Sequence, residues 1–288
     1  MVSENGGMEG KVVLITGGTS GIGKAAATAL AAAGAEVVVA GRNKERGEAA
    51  VGEIRRGSGS EKVSLMLEDL AVHAEVRGLA EGFRERHGRL DVLVNNAGLI
   101  QSRRTETPDG IELTLAVNHL APFLLTNLLL EVLKRSAPSR IITVSSEARR
   151  HAEIDFDDLQ SRRRYRAFPV YGMTKLANIL FTFELAERLR GIGVVANCLH
   201  PGGVNTNFGN YNRSLGILLF RAFQPFMRTP EQGADTIVYL ASSPEAGGMS
   251  GKYLMDREEV TPAQPSDEAL QRRLWEVSEK LTGLKVPS

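Results

Sequence analysis

The chain has 288 residues, 42% hydrophobic and 24% charged, which suits one large α/β domain or two small ones in an ordinary soluble protein. A formal net charge of +1 excludes a global field drawing it to nucleic acid or an anionic membrane. The single cysteine, Cys198, excludes an internal disulfide and suits a reducing, cytoplasmic compartment.

Residues 1–9 are polar and Gly-rich and read as a flexible tail, neither signal peptide nor anchor, ahead of a single domain over 10–288. Short β-branched runs follow at 11–16, 36–40, 62–67, 91–95 and 140–145, then at 193–199 and 252–255. They are nearly continuous in apolar residues, the pattern of strands buried on both faces of a parallel sheet. Helical segments alternate with them: 21–33 (Ala-rich, closed by Gly34), 43–55, 73–86, 109–134 and 169–190. Strand–helix alternation predicts right-handed βαβ units and a doubly wound α/β sheet of about seven strands with helices on both faces. The segment 147–168 reads as a loop. The apolar stretches "FLLTNLLLEVL" and "LGILLFRAF" are too short or too interrupted to span a bilayer, so no stable membrane insertion is expected. The first of them reads as a core and dimer-contact helix.

The first strand runs into Thr16-Gly17-Gly18-Thr19-Ser20-Gly21-Ile22-Gly23-Lys24, a G-x-x-x-G-x-G turn that opens the Ala-rich helix. A tight turn, a close backbone approach and a helix N-terminus together suit a dinucleotide pyrophosphate. The candidate contacts are Gly17, Thr19, Ser20, Gly21, Ile22 and Gly23. At the end of the second strand an acid would hold the 2′-hydroxyl of NAD. Gly41 stands there instead, followed by Arg42, whose guanidinium can pair with a 2′-phosphate. NADP(H) is therefore favoured over NAD(H).

Tyr171 and Lys175 lie four apart at the start of an apolar helical run and so share a face. Read alone, the pair is either a Tyr packed on a Lys stem or a phenol made more acidic by an ammonium. The rest of the chain weighs on the second side. "TGGTSGIG" (16–23), "EDL" (68–70), "NNAG" (95–98), Asn118 in "LAVNHLAPF", "VSS" (144–146), "YGMTK" (171–175) and "HPGGVNT" (200–206) occur in this order over nearly the whole chain. Together they resemble the short-chain dehydrogenase/reductase family on its Rossmann-type sheet. "KLANILFTFELAERL", "NCLHPGGVNT" and the long insert with "IDFDDLQ" are most similar to its retinol dehydrogenase branch and the bacterial relatives of that branch.

The resemblance implies an oxidoreductase that passes a hydride between a nicotinamide cofactor and a carbonyl or alcohol. It implies a catalytic tetrad of Asn118, Ser146, Tyr171 and Lys175. Ser146, chosen over Ser145, would hold the substrate oxygen. Tyr171 would be the general acid or base, and Lys175 would lower its pKa and hold the nicotinamide ribose. Asp69 and Leu70 would meet the adenine, and Asn95, Ala97 and Gly98 the adenine ribose. Pro201, Gly202, Val204 and Thr206 would line the nicotinamide. The family also implies a substrate-covering segment at about 207–229, which here carries Phe208, Tyr211, Leu215, Leu218, Phe220 and Phe223 and no acid. A lipophilic carbonyl or alcohol is the expected substrate.

No metal site and no nucleic-acid partner are expected; a homodimer or homotetramer is left open. The run Arg162-Arg163-Arg164-Tyr165-Arg166 reads as a solvated loop, and His200 as structural. Two other functions stay open. A catalytically silent dinucleotide sensor would tend to lack the Tyr or the Lys. A sugar-nucleotide epimerase or dehydratase would carry a different glycine spacing and a larger C-terminal region.

Overall fold

The computed structural model describes residues 7–204, 228–261 and 267–284. Eight strands form one sheet: β1 (Val12–Thr16), β2 (Glu36–Gly41), β3 (Val63–Leu67), β4 (Val92–Asn95), β5 (Ser139–Val144), β6 (Val194–His200), β7 (Lys252–Met255) and β8 (Glu258–Glu259). Their order is β3-β2-β1-β4-β5-β6-β7-β8. All neighbours run parallel except β7 and β8. The two-residue β8 is one strand more than the sequence led us to expect. Its exposed Glu258-Glu259 has no apolar signal, and only the turn at Asp256 and Arg257, both at positive φ, folds it back on β7.

Seven helices flank the sheet among the described residues. Helices α1 (Gly21–Ala32), α2 (Lys44–Ser58) and α6 (Pro230–Ser242) cover one face. The other is covered by α3 (His73–Arg86), α4 (Leu113–Arg135), α5 (Ala167–Arg188) and α7 (Glu268–Thr282). The unbroken apolar strands have their explanation here. Val12 and Leu14 enter the core beneath α3–α5, while Val13 and Ile15 enter the one beneath α1 and α6. Helix starts and stops follow local chemistry. Asn43 Oδ1 accepts from Arg46 N at 2.9 Å to cap α2. Thr229 and Gln232 form a capping box at α6, with Pro230 in its first turn.

Helix α4 is long and apolar enough to cross a bilayer, although the stretch "FLLTNLLLEVL" alone is too short, because the helix starts at Leu113 and runs on through Pro122. Its side chains are instead mostly buried in the protein. Within it, Ala116–Leu120 widens into a π turn, a rare geometry found frequently at functional sites.

Helix α7 has an amphipathic pattern that the sequence reading passed over. It docks on α4 and α5 through Trp275, whose ring lies 4.9 Å from Phe123 and 5.8 Å from Phe181. Such aromatic pairs are worth about 0.5–1.5 kcal/mol each beyond area burial. The Arg188 guanidinium covers the indole at 4.1 Å. Beside this cluster, His119 of the π turn bonds Ser278 Oγ of α7 at 2.9 Å and faces Asn178 of α5 at 3.4 Å.

His119 is fully buried, and burial pushes its pKa down from 6.5 to about 4. The folded state therefore holds it neutral while the unfolded chain protonates it, so its contribution to stability is lost as pH falls from 6.5 toward 4. The full effect is about 3 kcal/mol at 1.36 kcal/mol for each unit. We expect His119→Gln to be less stable than wild type at pH 7 but to lose less stability between pH 6.5 and 4.5. Urea titrations at both pH values check this; equal losses in the two proteins would refute it.

Candidate active site

The order of strands reverses between β1 and β4, and the sheet opens at their C-terminal ends. Ligands of doubly wound sheets bind at such a point. Gly17 leaves β1 at φ +66°, and a Cβ there would lie 2.9 Å from Ala97 Cα. Gly21 opens α1 at φ +52°. A Cβ at Gly23 would strike Asn96 Nδ2 and lie 2.5 Å from Gly17 O. These glycines keep the turn pressed on the end of β4 and leave its backbone bare of side chains. Helix α1 has no acid in its first turn, and the Ser20 side chain makes no cap bond, so its N-terminal N–H groups face outward without an anionic side chain. Bare backbone and a free helix N-terminus fit a dinucleotide pyrophosphate.

Two residues outside the sequence-derived set hold this cradle. Thr16 Oγ1 donates to Val94 O at 3.3 Å and accepts from the backbone N–H groups of Asn96 and Ala97, both at 3.1 Å. Asn96 Nδ2 donates to Thr16 O at 2.9 Å and Gly17 O at 3.3 Å. Asn95, the expected contact, turns the other way: its side chain donates to Thr126 Oγ1 of α4 at 2.9 Å. Strand parity carried this signal, since Leu93 faces α4 and Asn95 lies two residues on.

At the end of β2, a Cβ on Gly41 would lie 2.8 Å from Thr19 Cγ2. Thr19 thus fills the space that an acidic side chain at 41 would need. Arg42 follows, exposed. Beyond β3, Asp69 Oδ1 accepts from Ala71 N at 3.0 Å, while Leu70 packs against the core. Glu68 beside it has its carboxyl pKa raised, first by burial and then by Glu75.

The expected tetrad converges at the ends of β5 and α5. Asn118 projects from the π turn; its Oδ1 accepts from Leu99 N at 2.8 Å, and its Nδ2 donates to Leu99 O at 2.9 Å and Thr174 Oγ1 at 3.1 Å. Lys175 Nζ, almost fully buried, donates to Val144 O at 2.9 Å and lies 5.6 Å from the centre of the Tyr171 ring. The two serines part company. Ser145 Oγ donates to Lys175 O at 2.7 Å and so anchors α5. Ser146 Oγ accepts from Ala148 N at 3.2 Å and hydrogen-bonds Tyr171.

Burial dominates the electrostatics. It pushes the Tyr171 phenol up from 10 to about 12, against the hydrogen bond with Ser146, which acts to lower it. It pushes the Lys175 ammonium down from 10.5 to about 8. In this geometry desolvation sets the direction for both groups, and the lowering of the Tyr171 pKa expected from Lys175 is not seen.

On the far side, Pro201 is buried and Gly202 adopts φ +83° beneath Arg228, whose Cδ would lie 2.7 Å from a Cβ at that position. Arg228 is itself held by a bidentate ion pair to Asp256. Val204 pairs with Arg228 and packs on Gly233, which also borders Ile22 of the glycine turn. His200, just before this turn, is pushed down to about 4 by burial, and its Nδ1 has no hydrogen-bond partner among the described residues. Thr206 and the expected covering segment lie outside the described residues, apart from Arg228 and Thr229.

A family model described as short chain dehydrogenase matches residues 11–214. Human retinol dehydrogenase 14 is 44% identical over 295 aligned residues, covering 96% of this chain and 88% of its own. A crystal structure of a protein from Mycobacterium Paratuberculosis aligns with a TM-score of 0.79 at 32% identity, covering 97% of this chain and 96% of that one. A short chain dehydrogenase from Burkholderia cenocepacia J2315 in complex with NADP aligns with a TM-score of 0.68 at 28% identity, over 86% of this chain and 96% of that one. The strand order, the glycine cradle and these likenesses agree: the chain belongs to the short-chain dehydrogenases, among relatives of the retinol dehydrogenase kind.

Proposed function

We propose that the chain is an NADP(H)-dependent reductase of lipophilic aldehydes or ketones, able to run in reverse on the alcohols. The observation that carries this reading is the convergence of Ser146, Tyr171 and Lys175 beside the glycine cradle. When bound, the nicotinamide supplies or takes the hydride. Residues of the glycine turn, with Lys175 and the turn at Pro201 and Gly202, would hold the cofactor. Ser146 donates a hydrogen bond to the substrate oxygen and orients it toward Tyr171. The Tyr171 phenol, protonated over the whole neutral range, gives its proton to that oxygen as the carbonyl is reduced. Lys175 keeps a positive charge beside the phenol below about pH 8 and so favours the phenolate that the transfer leaves behind. Asn118 fixes the π turn to Leu99 and Thr174 and so holds the floor of the site.

Selectivity for NADP(H) is supported by Gly41 with Thr19 filling the acid's place, and by the exposed Arg42 next to it. The NADP complex of a similar fold fits the same reading. A lipophilic substrate is supported by the apolar sequence of 207–227 and by relatives whose names place them on retinol. A cytoplasmic location accords with the lone, buried Cys198.

Tyr171→Phe should lower turnover at least ~100-fold while NADPH binding stays within about threefold, because the phenol moves the proton but adds little binding surface. Lys175→Ala should lose both. Fluorescence titration and steady-state rates separate the two effects, and near-wild-type turnover in Tyr171→Phe would sink the mechanism. NADPH should bind at least ~10-fold more tightly than NADH, with Arg42→Ala erasing most of the difference. Equal affinity in the wild type, or discrimination kept in the variant, would count against that assignment. Across linear aldehydes, kcat/KM should climb up to about fourfold for each added CH₂ while the chain is being buried. A flat series, with good turnover of a sugar or a small hydroxy acid, would leave only the oxidoreductase class standing.

A further inference from the structure

We propose that Arg149 is a positioning residue for this reaction: its buried guanidinium plugs the one-turn helix Glu147–His151 into the core and thereby sets Ser146 against Tyr171. The inference rests on the reductase reading above.

Ser146 is the N-cap of that turn. A five-residue 3₁₀ turn has no packing of its own to hold it. Arg149 is its only buried residue, at 1% exposure. A lone buried cation is costly, so its partners matter. Arg149 stacks 4.5 Å over the ring of Tyr253 on β7, and its Nη2 donates to Glu147 Oε1 at 3.3 Å. The same Glu147 oxygen accepts from Tyr253 Oη at 3.3 Å. Arg149, Glu147 and Tyr253 thus close a ring of contacts that ties the turn to the sheet. Among the described residues Nε and Nη1 of Arg149 have no hydrogen-bond partner, so the ring and the Glu147 carboxylate carry the anchoring.

A second contact aims the turn. A Cβ on Gly172 would lie 2.5 Å from Ala148 O, so the turn rests directly on α5 beside Tyr171. Ala148 N is also the group that donates to Ser146 Oγ. One side of the turn is therefore held by Arg149 and the other rests on Gly172, with Ser146 at its start. The charged and titratable groups around Arg149 are Glu147, Arg150, His200, Tyr253 and Cys198.

Arg149→Met keeps the stem and removes the charge. We expect kcat to fall at least ~10-fold with KM for NADPH within about twofold, as for an interaction felt at the reacting groups rather than in cofactor binding. The pH limb assigned to Tyr171 should move upward, because the Ser146 bond holds that phenol down. Hydrogen–deuterium exchange should quicken at the Ala148 and Ala152 amides, and Arg149→Lys should recover part of both losses. Wild-type kcat, pH limb and exchange in a folded Arg149→Met protein would overturn the proposal. Should Arg149→Met fail to fold, Gly172→Ala decides: it should reproduce the kcat loss and the exchange, and wild-type behaviour there would overturn the proposal equally. A wild-type protein with no NADPH-dependent turnover would sink the reductase reading alone, since exchange still tests the anchoring.

Discussion

One hydroxyl holds the site's two halves together. Thr16 Oγ1 reaches from the end of β1 to a carbonyl 78 residues on and accepts two backbone N–H groups from the turn behind β4. A hydroxyl has one proton and two lone pairs, and all are engaged. The glycines follow from this clamp. Once β1 and β4 end side by side, Gly17 and Gly23 face Ala97 and Asn96 so closely that no side chain fits. The bare backbone suited to an anion is thus a by-product of how tightly the strand ends are drawn together.

The same tightness governs the Tyr171–Lys175 pair. Lys175 is buried and Tyr171 half-buried, and desolvation moves each toward its neutral form: the phenol up, the ammonium down. A buried ammonium near the edge of the physiological range responds more to its neighbours than an exposed one does. Lys175 Nζ donates to the carbonyl of Val144, at the end of the strand that leads into Ser145 and Ser146. Sheet end, serine pair and helix are therefore a single rigid corner.

Much of this was legible in the sequence because it follows from periodicity and spacing. Seven strands could be read from apolar runs, although β3 at the sheet edge leaves Ser64 and Leu67 exposed; the tetrad was implied by the resemblance that the ordered motifs carry. Part of what escaped had no local signature. The β8 strand is two exposed glutamates, and α7 was passed over although its pattern is amphipathic. That Thr16 and Asn96 hold the turn, while the Asn95 side chain goes to Thr126, shows only once β1 and β4 lie side by side. The place of Arg149 could not be read from its sequence, since "EARRH" looks like a solvated basic loop until Tyr253 arrives from 104 residues away to cover it. Gly41 could be seen as the absence of an acid, but not that Thr19 occupies the vacated space.

The docking of α7 bears on the order in which the protein can be made. Ser278 bonds a histidine 159 positions earlier, in the turn that carries Asn118. As the chain leaves the ribosome, the sheet, the glycine cradle and the serine corner are all synthesised before that helix. Contacts so distant in sequence close slowly and last. The π turn and Asn118 therefore gain this support only when α7 docks back over them.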